Sequence, residues 1–139
     1  MDAERKAKLL ALGANGEPFD KHNHFRIVDA DDGVGVVALE IHPESMNIWG
    51  TPHGGLLYSL SDVACGCAVL TVRPESHVTV NGSMDYLYPA PTSGRIIATG
   101  RVRKMGGRLA YCDSELRDEE GKLIATGRAV MCFTGTEML

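Results

Sequence analysis

The sequence predicts an α+β domain in which one long helix is wrapped by an antiparallel sheet, and three observations carry that prediction. The run His53–Val72, HGGLLYSLSDVACGCAVLTV, is apolar or small almost throughout and carries one charge, Asp62, a pattern suited to a helix buried on nearly every side. Four β-rich runs follow it, separated by short Gly/Pro or acidic joints, which points to antiparallel pairing. Composition is that of a packed globular domain, 44% hydrophobic and 23% charged.

The elements follow in order. Ala3 to Leu12 reads as a short amphipathic helix ended by Gly13 and Gly16. Two β-like runs, Phe25–Asp29 and Gly33–His42, flank Asp31-Asp32-Gly33, a hairpin-type turn signal. Pro43 to Pro52 is a loop holding Asn47, Trp49 and Gly50. The uncharged helix spans Gly54 to Val72 and is closed by Arg73-Pro74. Strands are then expected at His77–Leu87, Arg95–Lys104, Leu109–Leu116 and Leu123–Phe133, with joints at Pro89-Ala90-Pro91, Met105-Gly106-Gly107 and Asp118-Glu119-Glu120-Gly121. With no repeat and no linker, residues 1–139 read as a single domain.

Charge and composition exclude several functions. A formal net charge of −4 argues against a general nucleic-acid partner. No membrane span is expected, because the one run of sufficient length carries His53, Asp62 and several small polar residues. The N-terminal segment mixes acids and bases and lacks a signal-peptide core. Cys65, Cys67, Cys112 and Cys132 follow no CxxC zinc spacing, so free, mostly buried thiols in a cytoplasmic protein are expected.

Asp62 is the first candidate for chemistry. An ionised carboxylate buried without partners is prohibitively costly, so it must be paired, hydrogen-bonded or protonated. His53, Gly54 and Gly55 stand at the helix start, where free N–H groups and the helix dipole can hold an anion or a polarised carbonyl. Glycine there admits close approach to the backbone, although a plain helix-entry turn needs the same residues. Asn47 can donate to a carbonyl, a water or Asp62, and equally suits an Asx turn. Thr79 can hydrogen-bond an attacking water, or be an ordinary strand threonine. Ser59 and Ser61 lack a G-x-S-x-G context. His22, His24, His42 and His77 show no ligand spacing and suit surface or turn positions. Arg101, Arg103, Lys104 and Arg108 cluster near the Met105-Gly106-Gly107 turn, with Arg73 and Arg95 as neighbours; they form a solvated hairpin or a phosphate-binding group.

Helical phase adds a constraint. Nine helical residues rotate by roughly 900° and advance about 13 Å, putting His53 and Asp62 on opposite faces. Two antiparallel copies of the helix in a symmetric dimer bring Asp62 of one chain toward His53 and Gly54 of the other. A homodimer with interface sites is therefore expected if His53 belongs to the helix.

The segment Asn47-Ile-Trp-Gly-Thr-Pro-His53-Gly-Gly-Leu-Leu-Tyr-Ser-Leu-Ser-Asp62 resembles the signature of hotdog-fold acyl-CoA thioesterases of the phenylacetate-pathway (PaaI-like) family. His77-Val-Thr-Val-Asn-Gly-Ser-Met-Asp-Tyr-Leu-Tyr-Pro-Ala-Pro and Gly121-Lys-Leu-Ile-Ala-Thr-Gly are similar to later segments of that family. The resemblance spans roughly residues 20 to 134 and implies a hotdog fold, in dimers whose sheets join and pair again into homotetramers. It implies Asp62 as catalytic nucleophile or general base, Gly54 N–H as the group that polarises the thioester carbonyl, and Asn47 and His53 from the opposite chain as orienting groups. Thr79 would position water, and Gly55, with Leu57 and Tyr58 after it, would contact substrate. Arg101, Arg103 and Arg108 would face the phosphates of coenzyme A, itself part of the substrate, so no separate cofactor is implied.

The expected activity is hydrolysis of a short, medium-chain or aryl-acyl CoA thioester to free acid and CoA. Two other readings share the fold: a non-catalytic acyl-CoA binding or regulatory module, and a dehydratase or hydratase. The first has no need of a carboxylate beside the thioester, and the second uses a differently spaced His–acid pair.

Overall fold

The computed structural model describes residues 1–15 and 17–139. Helix α1 (Ala3–Asn15) and the short α2 (Pro18–His22) precede a hairpin of β1 (Phe25–Asp31) and β2 (Val34–Glu40). A 3₁₀ turn at Pro43–Ser45 and a loop lead to α3 (Gly54–Val72). Strands β3 (Glu75–Tyr86), β4 (Arg95–Met105), β5 (Leu109–Asp118) and β6 (Leu123–Glu137) complete the chain. All pairings are antiparallel, in the order β1-β2-β4-β5-β6-β3. Consecutive β3 and β4 are therefore not neighbours: β3 crosses to the far edge and, among the described residues, pairs only with β6.

The β1–β2 turn forms as its residues dictate. Asp32 and Gly33 take positive φ of 44° and 80°, the left-handed pair that a two-residue hairpin turn requires. Helix α1 runs past Gly13, beyond the expected end at Leu12, and Gly16 lies outside the described residues. Helix α2 was not legible: five residues with proline at the start and no apolar periodicity give no helical signal. Strand β6 extends four residues beyond the expected Phe133, to Glu137, carried by its ladder to β3.

Helix α3 lies across the sheet in a trough of small residues. Gly35 pairs with Gly100, Gly100 with Ser114, and Ser114 with Gly127, one row across four strands. A Cβ at Gly100 would stand 2.4 Å from Ala64 O, and one at Gly35 would stand 2.7 Å from it. The row thus lets the helix backbone settle onto the sheet, and Ser61 Oγ and Ser114 Oγ hydrogen-bond at 2.6 Å beneath it. Leu57, Leu60 and Ala64 pack there with Val37, Leu39, Ile96, Ala98 and Leu116 in the principal core. By length and composition α3 could cross a membrane, but half of its apolar window is buried inside this domain. The four cysteines are free thiols, three of them buried.

Candidate active site

The site begins with how α3 starts. His53 is the N-cap, with φ −64° and ψ 136°, outside the helix. Its Nδ1 accepts from Gly55 N–H at 2.8 Å, so the ring proton belongs on Nε2, which faces outward on an exposed residue. His53 C=O accepts from Leu56 N–H and Leu57 N–H at 3.0 and 3.3 Å. Of the first-turn amides, Gly54 N–H alone has no acceptor among the described residues. That is the donor a developing oxyanion needs at the positive end of a helix. Gly55 N–H is taken up by the cap.

Tyr86 braces this turn. Its hydroxyl donates to Gly54 C=O at 2.7 Å, and a Cβ at Gly54 would lie 3.4 Å from the ring. The role was not legible, because it depends on where the end of β3 meets the head of α3.

Asn47 closes the preceding loop. Its Oδ1 accepts from Trp49 N–H and Thr51 N–H at 2.9 and 3.2 Å, and its Nδ2 donates to Thr51 Oγ1 at 3.0 Å. The Asx-turn reading is therefore realised, with one Nδ2 hydrogen left over. The loop holds Ile48 and Trp49 out, 89% and 80% exposed. Asn47, His53 and Gly54 line one recess together.

Asp62 stands two turns along α3 and is half-exposed in this chain, not buried as its apolar neighbours suggested. The reason is the helix face it occupies: Asp62, Val63, Gly66 and Leu70 turn away from the sheet and line a cavity of about 450 Å³. Thr79, on β3, donates to Asp62 Oδ1 at 2.6 Å. The Thr79 hydroxyl also lies 3.1 Å from Met131 Sδ. One carboxylate oxygen is thus held while the other stays open.

His77, two residues before Thr79 on β3, lines the same cavity and was not expected at the site. Its Nδ1 is buried without a partner among the described residues. Burial pushes its pKa down, opposed first by the Glu75 backbone and then by the Asp62 charge. A Cβ at Gly66 would lie 3.1 Å from its Nε2, so the glycine makes room for the ring one turn after Asp62.

The two halves of the site do not meet within one chain. Because His53 is outside the helix, the opposite-face argument for it does not hold. Eight helical residues still separate Gly54 from Asp62 by about 12 Å along the axis.

The remaining candidates divide. Leu57 is 3% exposed and packs in the principal core. Tyr58 is 37% exposed and reaches across to Gly82, beside Asp62. Arg101 and Arg103 lie on β4, and Arg108 stands in the β4–β5 turn. Gly100 faces α3, so alternation turns Arg101 outward. Arg103 ion-pairs with Asp113 at 2.8 Å, while Arg101 and Arg108 are exposed and have no ion pair among the described residues. Arg128, opposite Asp113 in register, joins Arg103 at one shallow recess. Arg73 and Arg95 do not belong to this group. Arg73 binds Glu75 and the Gly106 and Gly107 carbonyls and covers the Phe133 ring, and Arg95 pairs with Glu40.

Comparisons with known proteins point to one family and one fold. Residues 50–125 match the family model described as the thioesterase superfamily. Acyl-coenzyme A thioesterase 13 of Homo sapiens is 36% identical over 104 residues, 73% of this chain and 74% of the relative. The solved E. coli PaaI protein from the phenylacetic acid degradation operon has the same fold, with a TM-score of 0.89, 23% identity and 99% of both chains covered. A hypothetical thioesterase from Streptococcus pneumoniae TIGR4, solved with coenzyme A, gives a TM-score of 0.76 at 26% identity over 81% of this chain and 90% of that one.

Proposed function

The chain belongs to the thioesterase superfamily as a PaaI-like hotdog thioester hydrolase, and from that premise we propose that it hydrolyses acyl-CoA thioesters with short, medium-chain or aryl acyl groups, using Asp62 as its catalytic carboxylate. The observation that carries this reading is the half-buried Asp62, held by Thr79 at the wall of a cavity lined by both polar and apolar residues. Coenzyme A bound to a relative of the same fold supports the substrate class.

The site is completed by a second copy of the chain. Gly54 N–H and the His53 Nε2–H of one protomer meet the thioester carbonyl beside Asp62 of its partner. Strand β3 is a twelve-residue sheet edge with Val78 and Val80 more than half exposed; such an edge is a template for pairing with another strand. Asn47 positions the loop and offers its remaining amide hydrogen. CoA phosphates take Arg101 and Arg108, with Arg103 and Arg128 nearby.

The open Asp62 oxygen accepts a proton from a water that Thr79 helps to hold, and that water attacks the thioester carbon. The oxyanion forms against Gly54 N–H. Collapse breaks the C–S bond and releases the acid and the CoA thiolate, which is then protonated. The Thr79 hydrogen bond favours this general-base route, because it leaves one carboxylate oxygen as an acceptor for water. Attack by that oxygen itself would give a mixed anhydride.

Asp62→Asn keeps the shape and removes the base. Thiol release from acyl-CoAs should fall by at least about 1000-fold with melting temperature and CoA binding retained. A variant that turns over at the parental rate refutes the assignment.

A further inference from the structure

The cavity beside Asp62 has a second polar wall that the hydrolytic step does not use. Between the two walls it is apolar, with Leu9 and Leu12 from α1, Ile27 from β1, and Val63 and Leu70 from α3. Its volume, about 450 Å³, falls in the ordinary range for a small-molecule site. At the wall formed by α2 lies Asp20, only 9% exposed, with no hydrogen bond or ion pair among the described residues. Burial, and then the charge of Glu17, push its pKa up to about 6.

A buried carboxylate without a partner is costly and rare in a folded protein. Asp20 lies in the first turn of α2, where a negative charge is favourable, but it makes no capping hydrogen bond there. Asp20 lines the same cavity as Asp62, within which an acyl group held at Asp62 would extend.

We propose that Asp20, with Glu17 beside it, is the distal subsite of the acyl cavity, selecting acyl groups whose far end carries a hydrogen-bond donor, a hydroxyl or an amine, and rejecting those that end in a carboxylate. The proposal rests on the thioesterase reading and adds its substrate class. A donor satisfies a carboxylate that is otherwise unpaired, whereas a third carboxylate brought into this low-dielectric end meets two like charges. A methyl end satisfies nothing and ranks between them. Sites that hydrogen-bond a substrate group discriminate strongly against analogues lacking it.

The test is kcat/KM for acyl-CoAs of matched length whose far end is methyl, hydroxyl or carboxylate, over several chain lengths. At the best length the hydroxyl form should exceed the carboxylate form by about 100-fold or more. Asp20→Asn should reduce that ratio at least about tenfold by admitting the carboxylate form. Asp20→Leu should lose the preference for hydroxyl over methyl. A hydroxyl-to-carboxylate ratio near one in the parent, or a ratio that Asp20→Asn leaves unchanged, overturns the subsite while leaving the thioesterase reading intact. If the parent releases thiol from none of the series, the thioesterase reading fails instead. Dissociation constants of the same thioesters with Asp62→Asn then decide the subsite, which requires the same order of end groups in binding.

Discussion

In the proposed mechanism His53 has two separable tasks at the head of α3. Its Nδ1 caps Gly55 N–H, and its Nε2–H is the donor available to a thioester. His53→Ala loses both, costing about 1 kcal/mol of stability from the cap. His53→Asn restores a capping acceptor without the outward donor. Thermal melts should place the Asn variant near the parent and the Ala variant below it, while thiol release should fall about tenfold in both. Asn47, His53, Gly54, Asp62 and Thr79 were each legible in the sequence as residues with a polar or backbone reason to act. What was not legible is which hydrogen bond each spends on the fold: Gly55 N–H goes to the cap and Leu57 to the core. Tyr86 and His77 were missed because strand residues reveal their neighbours only through register and helix packing.

At the scale of elements, α3 depends on the row of small residues beneath it. Gly100→Ala would drive a methyl into Ala64 O, C and Cys65 N, all within 2.7 Å, and the helix cannot yield without lifting from the core. We expect a loss of about 3 kcal/mol, read as a drop in melting temperature of about 8 °C; an unchanged midpoint contradicts the packing. Helix α2 carries the opposite signature. The Asp20 carboxyl pKa is raised from 3.8 to about 6 in the folded chain, so the folded state binds its proton more tightly than the unfolded state. The destabilisation from ionised Asp20 is fully present above pH 6, shrinks between pH 6 and 3.8, and is gone below. Asp20→Asn should stabilise by about 1–2 kcal/mol at pH 8, a figure discounted for partial solvation, and by nothing at pH 3.5. Denaturant midpoints at the two pH values check it. Long elements were legible because their period repeats, as in β4 and β5. Helix α2 and the 3₁₀ turn were not, since three to five residues have no period to read.

Over the whole molecule, the antiparallel sheet and its central helix follow from the order of hydrophobic runs and turns. The strand order does not. Placing β3 at the far edge against β6 depends on a crossover that no local signal encodes. That placement matters most for function, because it leaves a long, partly apolar edge beside Asp62 while Gly54 N–H points out about 12 Å away. Under the proposed mechanism one chain carries two half-sites, and a complete site takes two chains.

Gly54→Pro tests this most directly. Gly54 is the first helical residue, where proline is tolerated, and His53 already has the extended ψ of 136° that a following proline demands. The substitution removes the one free N–H with little other change. Gly54→Pro and Asp62→Asn chains should each be inactive alone. Unfolded together and refolded as a mixture, half of the dimers become hybrids, each with one intact site of two, so thiol release should return to about a quarter of the parental rate. A mixture no more active than its two components would contradict a site shared between chains.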